Sequence, residues 1–231
     1  MTWRGVIFDL FGTLVPPFRK AEHTSAIQEC AKILDLDFEL CHSLWIESFP
    51  QRVSGGFASI ASNFAWIGEQ AGITLSREDC LAAAAQYAEF TRAGLEPLAG
   101  VNQALTQLKS AGLRLGLLTN CAPDVPEVLA ATPLGAHFDA AVFSCSARIR
   151  KPERPAYDLV LQEIGTRPEH TLYVGDGSDD ELRGAAEAGL RPLLVTPSLA
   201  NTYDSHRPAV ENWKGPRVAT IPAVLSYLDI R

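Results

Sequence analysis

The segment Gly5-Val6-Ile7-Phe8-Asp9-Leu10-Phe11-Gly12-Thr13 constrains this chain more than any other. The run Val6-Ile7-Phe8 is apolar, short and rich in β-branched and aromatic residues, the pattern of a strand buried on both faces. It stops at a carboxylate, and a Gly-Thr turn follows at once. In open α/β sheets the ligand crevice lies at the carboxyl ends of the strands, where Asp9 falls. A carboxylate there is a nucleophile, a metal ligand or a cap of the turn, and this segment alone does not choose among them.

Three later segments repeat the pattern of an apolar run ending in polar chemistry or a cation entering a helix. Leu115-Gly116-Leu117-Leu118 ends in Thr119-Asn120, Arg150-Lys151-Pro152 precedes a helical stretch, and Leu172-Tyr173-Val174 runs into Gly175-Asp176-Gly177-Ser178-Asp179-Asp180. Helical periodicity separates them, over Val101 to Ser110 (closed by Gly112), Tyr157 to Ile164 and Glu181 to Ala188. Shorter apolar runs cover Phe138 to Phe143, Leu193 to Val195 and Val218 to Ile221. A terminal helix is expected from Ile221 to Leu228, and residues 197–216 read as loop. This alternation predicts an α/β fold with a Rossmann-like, doubly wound parallel sheet.

Between about Arg19 and Arg92 no strand pattern occurs. Ile27, Ala31 and Leu34 recur at helical spacing, as do Leu40 and Leu44, and the alanine run from Ala82 to Ala85 favours helix strongly. Ser76 with Asp79 three residues on predicts a capping box. Pro16-Pro17 and the stretch Leu95 to Val101 bracket this region as hinges. The expected organisation is a core of residues 1–15 and 95–231 carrying a helical insert of residues 16–94, with four or five helices. Arg52, beside the Gly55-Gly56 break, is a candidate anion reader or an ordinary solvated arginine. Arg19 and Lys20 offer the same choice, and His23 and His42 read as structural.

A net charge of -7 and a pI near 5.2 argue against a general nucleic-acid or anionic-membrane partner. No apolar run is long enough to span a bilayer and no signal peptide is expected, because Met1-Thr2-Trp3-Arg4 leads straight into the first strand. The five cysteines lack paired CxxC spacing, which suits a reducing cytoplasm; Cys121 reads as a buried spectator.

Taken together and in this order, the four segments resemble the motifs of the haloacid dehalogenase superfamily, most of whose members are phosphatases. The resemblance implies that the helical insert is a mobile cap that selects a small-molecule substrate. It makes Asp9 the nucleophile and places Mg²⁺ on Asp9, the main-chain carbonyl of Phe11, Asp176 and Asp180, with Asp179 competing for the last place. Thr119 should hold a phosphoryl oxygen, assisted by Asn120 and the turn at Gly12, and Lys151 should neutralise the anionic site. Arg148, Arg150 and Arg154 around it leave a plain surface basic patch as the alternative.

One position departs from the pattern. Phosphatases of the superfamily carry a second aspartate two residues after the nucleophile, where it protonates the leaving alcohol and later activates water; here that residue is Phe11, which can do neither. Dehalogenases have an aromatic residue there and need no metal, yet they tend to have serine and asparagine where this chain has its acidic cluster. The expected function is therefore a Mg²⁺-dependent phosphatase of a small phosphorylated metabolite. The alternatives are a 2-haloacid dehalogenase and a weakly catalytic metabolite-binding member.

Overall fold

The protein is described by a computed structural model covering residues 2–196, 201–203 and 208–230. Among these residues one parallel sheet is built from β1 (Gly5–Phe8), β2 (Arg114–Thr119), β3 (Ala140–Phe143), β4 (Thr171–Gly175), β5 (Arg191–Val195) and β6 (Arg217–Val218), in the order β3-β2-β1-β4-β5-β6. The chain winds outward from β1 to β3, then crosses back to β4 on the other side. That reversal makes the gap beside β1 the topological switch point, where crevices form in such sheets. The expected strand from Phe138 begins only at Ala140, because a 3-10 turn occupies Gly135–His137.

The first segment after β1 is wholly helical: α1 (Lys20–Ile33), α2 (Phe38–Glu47), α3 (Phe49–Val53), α4 (Ile60–Gln70) and α5 (Arg77–Gly94). These helices enclose an apolar cluster of their own, with Ile27, Cys30, Trp45, Phe64, Ile67 and Tyr87 buried in it. The Trp45 ring stacks on Phe64 at 5.1 Å and lies 4.6 Å from Tyr87. Helix α5 does start at Ser76, whose hydroxyl oxygen accepts from the Asp79 N–H. The reciprocal half of the expected box is absent, since the Asp79 carboxylate accepts from the Ser76 hydroxyl instead of the main chain. A complete box sits at α4, where Ser59 and Ser62 exchange both bonds.

Helices on both faces of the sheet explain why β1 is apolar without interruption. Val6 and Phe8 pack into one cluster with Leu105 and Leu108 of α6 (Val101–Ser110) and Val125 and Val128 of α7 (Val125–Ala130). Beyond β3 come the short α8 (Ser144–Ala147), then α9 (Arg154–Ile164) and α10 (Glu181–Glu187). Ile7 points to the opposite face, joining Tyr157 and Val160 of α9 and Leu182 and Ala185 of α10. The four-residue α11 (Pro208–Glu211) interrupts the expected loop, of which residues 197–200 and 204–207 lie outside the described set. At the end of the chain, α12 (Pro222–Tyr227) returns Val224 to the first face.

Phe64 has no exposed surface and sits at the centre of the insert's cluster. Phe64→Ala should therefore cost about 3–5 kcal/mol of stability, read as a lowered urea midpoint.

Candidate active site

Sheet register brings the polar strand ends together. Phe8 lies opposite Leu117 of β2 and Val174 of β4, so Asp9, Thr119 and Asp176 all emerge at the carboxyl edge of three adjacent strands. The Asp9 N–H donates to the Val174 carbonyl at 2.9 Å, which extends the β1–β4 ladder to the carboxylate itself. Asp9, Thr119 and Asp176 are at most 3% exposed. Asp9 Oδ2 accepts from the Thr13 hydroxyl at 2.9 Å, and its Oδ1 accepts from Lys151 Nζ at 2.6 Å. The same ammonium donates to Glu181 Oε2 at 2.6 Å, so one buried cation stands between two buried anions.

Glu181 is the residue sequence reasoning missed. It opens α10 and had the look of an acid placed for the helix dipole. Instead its carboxylate turns inward, accepting from Tyr173 Oη at 2.7 Å and from the Gly177 N–H at 2.9 Å. Carboxylate oxygens of Asp9, Asp176 and Glu181 lie within 4.8 Å of one another. Burial pushes Asp9 upward, with Asp176 adding to it, against the pull of Lys151. Burial likewise pushes Glu181 up to about 8. Burial would pull the Lys151 ammonium down, but Asp9 and Glu181 outweigh it and hold the proton on. Three carboxyl groups and one ammonium share a closed space. A hard divalent cation fits that donor set, since the three groups offer only oxygen ligands and a cation beside them would favour their ionised forms. Gly12 makes the close approach possible: at φ +83°, any Cβ there would stand 2.0 Å from Asp176 Oδ2.

The remaining sequence candidates fall into different places. Asn120 clasps the main chain of Lys151, accepting from its N–H at 2.9 Å and donating to its carbonyl at 3.0 Å, and donates also to Asp179 Oδ2 at 2.7 Å. Asp180, expected beside the metal, instead faces outward, half-exposed and bound by the Arg183 guanidinium at 2.9 Å. The pair with Arg183, one helical turn on, draws its carboxylate to the surface. Arg52 is not a solvated arginine. It is buried in the insert, where Nη1 donates to Trp45 O, Ser48 Oγ and Asn63 Oδ1 and the guanidinium lies 3.9 Å from the Trp45 ring centre. Lys151 is buried while Arg154 is an exposed partner of Asp158.

A cavity of about 590 Å³ opens between the strand ends and the insert. Asn120, Cys121, Ser178 and Asp179 wall it on the core side, and Phe18, Phe49, Arg52 and Tyr87 on the insert side. The Phe11 ring also lines it, packed against Phe18 with centroids 4.4 Å apart. His23 lies deeper in the wall. Trp45 Nε1 can only donate, so His23 Nε2 accepts, and Nδ1 carries the proton toward Tyr203 Oη at 2.8 Å. Insert and core also meet at two hydroxyls, that of Thr91, which donates to Asp124 Oδ2, and that of Ser144. Ser144 Oγ accepts from the Cys121 N–H at 3.0 Å and donates to the Val53 carbonyl at 2.5 Å.

The family model for haloacid dehalogenase-like hydrolases matches residues 3–189. Among curated proteins, a phosphoserine phosphatase of Thermus thermophilus is 35% identical over 96 residues, 41% of this chain; the chain spans only 39% of that relative's length. A glyceraldehyde 3-phosphate phosphatase of Methanopyrus kandleri is 27% identical over 83% of each chain. Among solved structures, the L-2-haloacid dehalogenase of Xanthobacter autotrophicus with chloropropionic acid covalently bound superposes with a TM-score of 0.65 at 19% identity, covering 99% of both chains. At that identity the likeness is one of fold.

Two outcomes are expected. Gly12→Ala should displace Asp176 and, at a left-handed position, lose about 1–3 kcal/mol in chemical unfolding. Burial, with Arg52 and His42 nearby, lowers His23 from 6.5 to about 4. Its contribution to stability is thus complete above pH 6.5 and lost as the pH falls toward 4. Relative to His23→Gln, the protein should weaken by roughly 3 kcal/mol over that window, seen in melting temperature against pH.

Proposed function

The chain belongs to the haloacid dehalogenase-like hydrolases, and on that premise we propose that it is a Mg²⁺-dependent phosphatase of a small phosphorylated molecule, working through an aspartyl-phosphate at Asp9. The observation that carries this reading is the buried set of three carboxylates around a single ammonium. Such a set of three oxygen donors suits a phosphatase that holds a cation and sits poorly with a metal-free dehalogenase.

In this reading an Asp9 carboxylate oxygen attacks phosphorus in line with the leaving oxygen, which splits one hydrolysis into two displacements. Thr13 and Lys151 fix the attacking group by holding its two oxygens. Lys151 and the Thr119 hydroxyl counter charge on the transferred phosphoryl group. Glu181 and Asn120 are positioning residues for Lys151, one at its ammonium and the other at its main chain. Asp9 and Asp176 would hold Mg²⁺, which when bound draws charge from the phosphoryl oxygens and lets two anions meet. Residues 16–94 serve as a cap that closes the cavity against water and selects the substrate. The free cysteines Cys30, Cys41, Cys80, Cys121 and Cys145 support a reducing compartment such as the cytoplasm. Among the described residues no helix is long and apolar enough to cross a membrane.

A second reading, dehalogenation of a 2-haloacid with Asp9 attacking carbon, is favoured by one observation. Phe11 places a ring where the acid–base aspartate would stand, and that ring packs on Phe18 instead of meeting a polar partner. Halide needs no proton to depart, so this chemistry would not miss the acid.

Asp9→Asn should abolish phosphate release from a phosphate-ester panel, and EDTA should stop the unmodified enzyme with recovery on adding Mg²⁺. Titration calorimetry should show Mg²⁺ binding that is lost in Asp176→Asn. Halide release from chloroacids that persists in EDTA, with no phosphatase activity, would establish the second reading instead.

A further inference from the structure

We propose that the esters this site hydrolyses are phosphates of phenols, their aromatic ring seated in the cavity between Phe11 and the insert; this rests on the phosphatase reading above. Two independent observations converge on it. One concerns what the site lacks for the departing oxygen, the other the surface that meets the departing group.

When Asp9 attacks, an O–P bond forms, the ester O–P bond breaks, and the electron pair leaves with the ester oxygen. From an alkyl ester that oxygen departs as an alkoxide, whose conjugate acid lies near the value of about 16 for water, so it needs a proton in the transition state. The residue placed to give one is Phe11, which has none. A phenoxide is different, because its conjugate acid lies near about 10 and the ring spreads the charge. It leaves unprotonated and takes its proton from water afterwards. In the second step water attacks the Asp9-bound phosphoryl group, the Asp9–phosphorus bond breaks, and the carboxylate returns as the leaving group. The sum is ester plus water giving phenol plus phosphate, with no other reactant.

The cavity of about 590 Å³ is lined by Phe11, Phe18, Ile46, Phe49, Val53 and Tyr87. Of these, Phe49 keeps about half of its surface exposed, and Ile46 is also exposed. A two- or three-carbon phosphate would leave these walls facing water. An aromatic leaving group covers them and finds rings to stack on or meet edge-on. The same cavity reaches Phe11, two residues from Asp9, and Asn120, which clasps the main chain of Lys151, so a ring in it lies on the side of the site from which a substrate enters.

The test compares phenyl phosphate, benzyl phosphate and glycerol phosphate on the Mg²⁺-loaded enzyme. Phenyl and benzyl phosphate both carry a ring, but only the first loses a phenoxide. Phenyl phosphate should exceed benzyl phosphate in kcat/KM by at least about 100-fold, the scale of a missing general acid, since that constant reads the step in which the ester oxygen leaves and not the shared hydrolysis of the Asp9 intermediate. Benzyl phosphate should still compete with phenyl phosphate at a similar concentration, whereas glycerol phosphate should compete poorly. Phe11→Asp should raise kcat for benzyl phosphate by about 100-fold or more. A kcat/KM for benzyl phosphate within a few-fold of that for phenyl phosphate in the unmodified enzyme would overturn the leaving-group argument, and equal competition by glycerol phosphate would overturn the ring site. In either case the phosphatase reading would stand. Phosphate release from none of the three, with Mg²⁺ bound, would overturn the proposal and the phosphatase reading together.

Discussion

The buried ammonium of Lys151 is the interaction on which the rest of the structure depends. Burying one charge is costly, and burying a cation with two carboxylates is tolerable only when every group is also hydrogen-bonded. The fold meets that condition from three directions. β1 delivers Asp9, the first residue of α10 delivers Glu181, and Asn120 at the end of β2 fixes the lysine's main chain. Tyr173 and the Gly177 N–H then occupy the far side of Glu181. Gly175 is part of the same condition, since a Cβ there would stand 2.1 Å from Glu181 Oε1. Sheet order, strand register and two glycines all converge on one nitrogen atom.

This dependence explains what could be read in the sequence. An apolar run that stops at a polar residue marks a strand end, so Asp9, Thr119 and Asp176 were visible along the chain, as was the winding that brings them together. Glu181 was not, because an acid at a helix start has a sufficient local explanation and its ion partner Lys151 lies 30 residues away. Asp180 drew attention by its spacing from Asp176, yet Arg183, also local, holds it at the surface. Arg52 stood beside a glycine pair that suggested exposure. Its burial among Trp45, Ser48 and Asn63 follows from helix packing within the insert, which periodicity does not specify. Ser59 and Ser62 close a capping box with two hydroxyls, without the acid that makes such a box conspicuous.

The family contains both phosphatases and dehalogenases, and this chain carries features of each at adjacent positions. The acidic group under the sheet edge asks for a cation, while the ring at Phe11 makes the mouth of the same site apolar. The two are compatible if they act on different parts of one substrate: the charged group that is transferred and the body that departs. Core and insert then divide the work along the plane where they meet, with Phe11 as the core's contribution to the apolar side.

That plane is crossed at Ser144, whose single hydroxyl accepts from the Cys121 N–H and donates to the Val53 carbonyl. A serine has one proton to give, and here it goes to the insert. Cys121 follows Asn120, the residue that clasps Lys151. One hydroxyl thus ties a carbonyl of the insert to the backbone stretch that holds the buried lysine in place, so the two walls of the cavity share a hydrogen-bond chain as well as a surface.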